Sequence, residues 1–475
     1  MKKTIFLFFI LTFCFSALET FAHKRAKYNI VIDTDGGVDD LRAMTYFMAS
    51  REFNINAITT VDGVLPTKLT ADYISELCKL FNHEGIRVGQ GQKTGASKKY
   101  YEHALPVWEN LFPDVQQIRH YDAEKLLANA IEFEKKRTII IAMGPLTNIA
   151  AVLKQNTDLC PKIETILWYA DYDKAPKGYN FEQDNEAYEI LKKFKVPIKL
   201  VYANDNKYKD DFLETCSEIE NVYTAALIKA FENTDFENSG MYYWDDFLPM
   251  YLLYPSMFDE MVVEDYARKI VPKPENYFDI LVTGVLNFDK PDQGVSFNEI
   301  PTSGYMLRLD IEKFADSLLL SHGYAEFKIV SLTNEIHSHI GVYSILGAKT
   351  GLRIMEYLHA GLDEINLVSF AGYTPPLSCF NDGLQVGTGS TIGYGTILVD
   401  ESKDKTPSVL VKYNGREILF SLKPEVVDEI IKDISSLVKQ YGLESEMYWS
   451  VLREKSIEKY WLGMSRFDIL DIEEK

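Results

Sequence analysis

The chain has 475 residues, 46% hydrophobic and 25% charged, an ordinary globular balance that excludes global disorder, collagen-like repeats and low complexity. At about 100–200 residues per domain, that length predicts two to four domains. Lys and Arg number 50 against 70 Asp and Glu, a net charge of −20, which repels phosphate backbones and excludes non-specific nucleic-acid binding. Five scattered cysteines without C-x-x-C spacing argue against a disulfide scaffold or a zinc ribbon.

Lys2 and Lys3 precede an almost wholly apolar run from Ile5 to Leu18, followed by Glu19, Thr20, Phe21 and Ala22. A basic start, an apolar stretch and a small residue near a cleavage point predict a secretory signal over 1–22. The run is short of the roughly 20 residues that span a bilayer. The expectation is an exported protein, periplasmic or secreted, without stable membrane insertion.

Strand-like runs follow at 28–32, 55–60, 138–143, 165–169 and 198–202, with helical periods at 39–50, 69–81, 123–133, 148–153 and 185–194. Strand then helix, repeated, predicts an α/β fold: a mostly parallel open sheet with helices on both faces. Ligands in such sheets gather beyond the carboxyl ends of the strands. Asp33, Asp35, Asp62, Met143, Asp171 and Asp173 all follow or end strands on that rim. A different composition begins near residue 323: Gly and Thr between 372 and 395, a strand pair over 409–422, and helix from Pro424. The expected organisation is a first domain at 26–322 and a smaller α+β domain at 323–475.

Asp33-Thr34-Asp35-Gly36-Gly37-Val38-Asp39-Asp40 puts four carboxylates within eight positions. Converging carboxylates repel unless a cation neutralises them, and calcium, with 6–8 oxygen ligands, suits such a set better than zinc. The simpler alternative is that Asp39 and Asp40 only cap the helix. This segment resembles the signature of the inosine/uridine-preferring nucleoside hydrolases. Ala57–Val61 resembles that family's second strand. Met143–Ala150 matches its Gly-Pro-Leu-Thr-Asn segment, and Asn180–Ala187 its Asn-x-x-x-Asp-Pro-Glu-Ala segment. Trp244–Leu248 with Tyr254–Phe258 resembles its distal metal-ligand helix, and Gly304–His322 its closing strand and helix.

The resemblance implies hydrolysis of an N-glycosidic bond in a nucleoside-like small molecule. Calcium would be held by Asp35, Asp40, Asp245 and the carbonyl of Met143. Asp35 would be the general base, and Asp39, Asn180 and Asp62 would bind the sugar, with Asp33 orienting the cluster from behind. Trp244 stands where many members carry His as an acid, and resembles a purine-preferring branch in which Trp stacks on the base; Tyr242 and Tyr243 adjoin it, and Tyr243 is expected to bind substrate with it. Core packing of these aromatics is the alternative. The chain departs from the family at Gly178, where a Glu binds the 5′ side of the ribose, and at Val64. A modified or non-ribose substrate, or weak activity, follows, and a non-catalytic protein that captures a ribosylated or metal-bearing ligand is the rival reading. Oligomeric state stays open.

In the second domain His337 and His339 open a predicted helix that runs through 352; Cys379 and Asp382 come later. Mixed N, S and O ligands suit zinc, although surface or capping roles also fit a His-x-His pair. Residues 335–398 are similar to the FmdE family, which takes its name from formylmethanofuran dehydrogenase. That similarity carries His337, His339, Cys379 and Asp382 over as metal ligands, with Gly341 and Ser390 standing where the family has Cys.

Overall fold

In a computed structural model of the chain, the described residues are 26–94, 101–134, 136–202, 212–219, 221–232, 242–273, 281–287, 296, 300–402 and 404–475. The expected signal over 1–22 lies outside them. Strands of the first domain are β1 (Tyr28–Thr34), β2 (Phe53–Thr60), β3 (Val88–Gln90), β4 (Tyr121–Asp122), β5 (Thr138–Ala142), β6 (Ile163–Tyr169), the short pair β7 (Asp171–Tyr172) and β8 (Pro176–Lys177), β9 (Ile198–Val201), β10 (Phe258–Glu264) and β11 (Ala267–Pro272). Helices are α1 (Val38–Ala49), α2 (Thr67–Leu80), α3 (Tyr101–Leu111), α4 (Ala123–Glu132), α5 (Thr147–Gln155), α6 (Tyr179–Gln183), α7 (Asn185–Phe194), α8 (Phe212–Ser217), α9 (Val222–Ala230) and α10 (Phe247–Leu253).

Nine strands form one sheet in the order β10-β11-β9-β6-β5-β1-β2-β3-β4. Every neighbouring pair is parallel except the edge pair β10–β11. The period-2 alternation of β1 explains the two-sided cover. Ile30 and Ile32 enter one core with residues of α1, α2 and α9, while Val31 enters the other with residues of α4, α5 and α7. The chain runs outward from β1 through β2, β3 and β4, then returns to β1's other side as β5. That reversal makes the β1/β5 boundary a topological switch point, where open α/β sheets place their ligands.

A long helix, α11 (Leu309–His337), leads into the second domain, broken by non-helical backbone at Gly323 (φ 79°, ψ 166°). Residues 304–306 are a 3-10 turn, so the strand suggested by resemblance over Gly304–His322 is absent among these described residues. The predicted helix over 335–352 is likewise corrected. Ser338 is left-handed and ends α11 at His337, and α12 (Val342–Leu358) begins anew. Then come β12 (Asn366–Ser369), α13 (Phe380–Thr388), β13 (Ile397–Val399), β14 (Ser408–Tyr413), β15 (Arg416–Leu422), α14 (Pro424–Tyr441), α15 (Glu446–Lys455) and β16 (Leu470–Glu474). The five strands form a mixed sheet, β13-β12-β14-β15-β16. Glycines let α12 and α13 touch backbone to backbone: a Cβ at Gly347 would sit 2.2 Å from the Phe380 carbonyl oxygen, and one at Gly383 would sit 2.2 Å from Ala348 N.

The second domain docks on the amino ends of β1, β2 and β3. Gly85 N donates to Tyr357 O (2.8 Å). Arg353 donates to Asn82 O (2.9 Å) and pairs with Glu84 (2.8 Å), Arg416 donates to Gly85 O (2.6 Å), and Asn414 donates to Asn56 (2.6 Å). Cys78, Cys160, Cys216 and Cys379 are free thiols. No helix of the described residues is long and apolar enough to cross a membrane.

Candidate metal and active site

β1 delivers Asp33 at its carboxyl end, the Gly36-Gly37 turn follows, and α1 carries Asp39 and Asp40 in its first turn. Asp40 does more than favour the helix dipole. Its Oδ1 accepts from Thr34 Oγ1, from Asp35 N (3.2 Å) and from Gly36 N (3.4 Å), which fixes the carboxylate across the turn. Asp33 Oδ1 accepts from Thr59 Oγ1 (2.6 Å) and Asn148 Nδ2 (2.8 Å), so β2 and α5 anchor it from behind. Asp35 Oδ2 accepts from Val64 N (3.2 Å). Side chains are shut out around it: a Cβ at Gly63 would stand 2.2 Å from Asp35 Oδ2.

Asp245 arrives from the segment before α10, some two hundred residues away in sequence. Its amide donates to Asp39 Oδ2 (3.5 Å). One oxygen each of Asp39, Asp40 and Asp245 lie within 4.8 Å of one another, the one such cluster among the described residues. Asp35, expected as a ligand, is not one of that trio, and Asp39, expected on the sugar, is. Asp35 nonetheless adjoins them, since its charge acts on Asp245 and those of Asp40 and Asp39 act on it.

Burial pushes Asp33 and Asp39 up to about 7, and pushes Asp35 and Asp245 well above the usual carboxylate range, with repulsion from the neighbouring acids adding to it. Asp40 is raised for the same first reason, against its hydrogen bonds from Thr34 and the turn. Among the described residues, Asp35 Oδ1, Asp245 Oδ1 and Asp33 Oδ2 are buried with no hydrogen-bond partner. Uncompensated buried carboxylate oxygens are costly. The donor set, all hard oxygen, therefore fits a hard divalent cation.

Met143 ends the β5 side of the switch point; its carbonyl accepts from Asn180 Nδ2 (3.1 Å), which also donates to Tyr169 O (3.1 Å). Asn180 thus ties β5, β6 and α6 together at the rim. Tyr169 escaped the sequence reading as a site residue. Burial first, then Asp39 and Asp245, raises its phenol well above the ordinary value, which places it beside the cluster; its one sequence signal is its place at the end of a predicted strand. Asp62 accepts from Thr67 N (3.4 Å) and Thr94 N (3.2 Å) and braces the loop after β2. Asp171 is engaged by Lys177 (2.9 Å) and Lys269 (3.4 Å) rather than by the cluster.

The aromatic run divides. Trp244 is half-buried and stacks on Tyr242, ring centroids 5.5 Å apart and planes 17° from parallel. Tyr243, expected at the substrate, is 4% exposed and packs its ring on Phe247 in the core. At Gly178 an added Cβ would meet nothing within 4 Å among the described residues, so they leave open space there.

In the second domain His337 Nδ1 lies 2.7 Å from Asp382 Oδ2, and the His337 and His339 rings are 4.2 Å apart. Hydrogen bonding of His337 to Asp382 and Cys379 raises it to about 9, whereas burial and the neighbouring His337 lower His339. His337, Cys379 and Asp382 line a cleft of about 260 Å³. A Cβ at Gly341 would lie 3.4 Å from His339 Nε2 and 3.5 Å from His337 Nε2. Both rings therefore face the spot where the FmdE resemblance has a cysteine, and glycine leaves it without sulfur. The four expected ligands are not gathered as closely as the aspartates.

Curated relatives match over part of the first domain. A probable uridine nucleosidase 1 of Oryza sativa subsp. japonica is 29% identical over 177 residues, 34% of this chain and 54% of the relative. The pyrimidine-specific ribonucleoside hydrolase RihA of Shewanella sp. (strain MR-4) is 27% identical over 188 residues, 36% of this chain and 57% of the relative. The chain thus spans about half the length of these relatives. Among solved structures, a plant nucleoside hydrolase, the PpNRh1 enzyme, aligns over 55% of this chain and 99% of its own, at 17% identity and a TM-score of 0.48. Residues 336–461 match the family model described as FmdE, molybdenum formylmethanofuran dehydrogenase operon. Residues 30–316, which carry every element of the carboxylate site, match the model of the inosine-uridine preferring nucleoside hydrolases, and the chain belongs to that family.

Proposed function

We propose that the chain hydrolyses the N-glycosidic bond of a nucleoside or nucleoside-like substrate and that calcium is its metal. One observation carries the reading: Asp39 and Asp40 of α1 and Asp245 before α10 meet beyond the end of β1, with buried oxygens of Asp35 and Asp245 left without a partner among the described residues. Asp35, Asp40, Asp245 and the Met143 carbonyl would hold the ion, and Asp39 stands close enough to join them. When bound, the ion supplies Lewis acidity and lets the carboxylates ionise together.

The chain's own groups do the rest. Asp35 Oδ1, buried and unpartnered, is the free acceptor that takes a proton from an attacking water. The surrounding carboxylates stabilise positive charge that develops on the sugar as the bond to the base breaks. Asp39 and Asn180 meet the sugar hydroxyls, with Asp33 held behind them by Thr59 and Asn148. Trp244, backed by Tyr242, offers a flat face to the base.

The relatives' activities put uridine and cytidine first in a test panel, followed by purine ribonucleosides and 5′-modified nucleosides. Release of free base and reducing sugar with calcium, lost on chelation, supports the proposal. Binding without release in every condition favours ligand capture, a reading that the open side at Gly178 keeps in play. Neither binding nor release removes both.

For the second domain we propose an accessory role with zinc on His337 and His339, whose ring nitrogens face a common point beside Gly341. Elemental analysis of the intact protein tests this: one zinc per chain supports it and none removes it. Export is also proposed, on the Lys2–Ala22 pattern; N-terminal sequencing of the protein from its native compartment should begin near His23.

A further inference from the structure

Arg42 and Asp246 form an ion pair that is 1% and 0% exposed at its side chains. Arg42 Nε donates to Asp246 Oδ1 (3.0 Å) and Nη2 donates to Asp246 Oδ2 (2.9 Å), a two-point contact. Burying two charges is weak evidence for a stabilising role, because desolvation offsets the attraction. The placement suggests a different role. Arg42 lies two residues beyond Asp40 on α1, and Asp246 directly follows Asp245. The pair therefore joins the two segments whose carboxylates cluster.

Its other bonds reach the same segment. Arg42 Nη2 also donates to Tyr242 O (2.7 Å), and Asp246 Oδ2 accepts from Trp244 N (3.3 Å). One guanidinium and its carboxylate thus grip both ends of 242–246, which carries Asp245 and the Tyr242–Trp244 stack. The Arg42 charge also draws Asp39 down against the burial and the Asp40 repulsion that raise it, so it acts on the cluster electrically as well.

We propose that Arg42 and Asp246 are positioning residues that lock the 242–246 segment to α1, so that Asp245 and the aromatic pair are in place before any ion or substrate arrives. This rests on the ion-binding reading of the aspartates and deepens it. Neither residue touches the reacting atoms; they act through Asp245 and Trp244.

Terbium, a calcium substitute whose emission is sensitised by nearby aromatics, tests the proposal on the full chain without reference to turnover. Arg42→Ala and Asp246→Ala should each weaken terbium binding by about 10–100-fold, the range seen when partners of metal ligands are removed. The double variant should lose little more than either single one. Arg42→Lys, which keeps the charge but not the two-point contact, should fall between. Arg42→Met with Asp246→Leu fills the space without charge; it should keep the melting temperature and still lose terbium affinity. Wild-type affinity in that folded apolar pair, or fully additive losses, overturns the proposal. If the unmodified chain binds no terbium, the ion-binding reading fails instead. The pair is then judged by near-ultraviolet dichroism of the Tyr242–Trp244 stack in ion-free protein, which Arg42→Ala should abolish and which, if unchanged, overturns the positioning role.

Discussion

Asp35 illustrates what a single side chain contributes here. One of its oxygens is held by the Val64 amide and the other is buried without a partner among the described residues, so Asp35→Asn keeps the first contact and removes the proposed base. Base release should fall by about 10²–10⁴-fold with the circular dichroism spectrum unchanged; activity near the unmodified level would remove Asp35 from the chemistry. Trp244→Ala should raise KM for the best substrate by roughly 10–100-fold, from a stacking contribution of about 1–3 kcal/mol, with a smaller effect on kcat. In the ion-free protein Asp33 and Asp39 are raised from 3.8 to about 7. Their contribution to stability is fully present below 3.8 and is lost as pH rises through about 7. A cation displaces those protons and opposes this loss. The calcium-induced rise in melting temperature should therefore grow between about pH 5.5 and about pH 8, and a rise that ignores pH would sink the account.

Local pattern made several elements readable before any coordinates. Short β-branched or aromatic runs at 28–32 and 138–143 and helical periods at 39–50 and 185–194 correspond to β1, β5, α1 and α7 within a few residues. Each segment's own periodicity agrees with its final state. The short strands β3 and β4 carried too few residues to show a period, and the edge strand β10 is mostly exposed. The expected helix through His337 and His339 failed because Ser338 is left-handed, a break that no proline or glycine announced at that position. The α12–α13 contact gives this scale its own test. Gly383→Ala places a methyl 2.2 Å from Ala348 N and should destabilise the second domain by about 1–3 kcal/mol, seen as a lower melting temperature. Nucleoside turnover at the first domain's rim should persist while the chain stays folded.

At the level of the whole molecule, the carboxylate site was half legible. Asp33, Asp35, Asp39 and Asp40 announce themselves as a run, but the junction with Asp245 depends on how α10 packs, and the family resemblance rather than spacing supplied it. Nothing local foretold the interface between the domains, because it is made by scattered residues such as His83, Arg353 and Arg416. Two histidines meet there, His83 and His359, with ring centroids 4.4 Å apart. His83 bonds to Glu356 O (2.8 Å) and to the Tyr223 hydroxyl (2.9 Å). Burial lowers both from the ordinary 6.5; His83 and Arg51 lower His359 further, while the Glu356 and Glu84 charges partly restore His83. Folding favours the neutral form of both, so their contribution is complete above about pH 6.5 and is lost as pH falls below it toward the lower folded values. Each can cost up to about 1.4 kcal/mol per pH unit in that window. Measured melting temperatures should drop more steeply below about pH 6.5 in the unmodified chain than in His359→Phe; parallel curves would remove the histidines from the interface's pH response.

The docking of the second domain on the amino ends of β1, β2 and β3 has a logistic consequence. The eight-residue β2 puts on the order of 20 Å of sheet between that junction and the aspartate rim. Under the proposed hydrolysis, a base or sugar freed at the rim would leave from the end of the sheet opposite the junction. The fusion therefore sets the two modules back to back along the strands, the aspartate rim at one end of the sheet and the FmdE-like domain at the other.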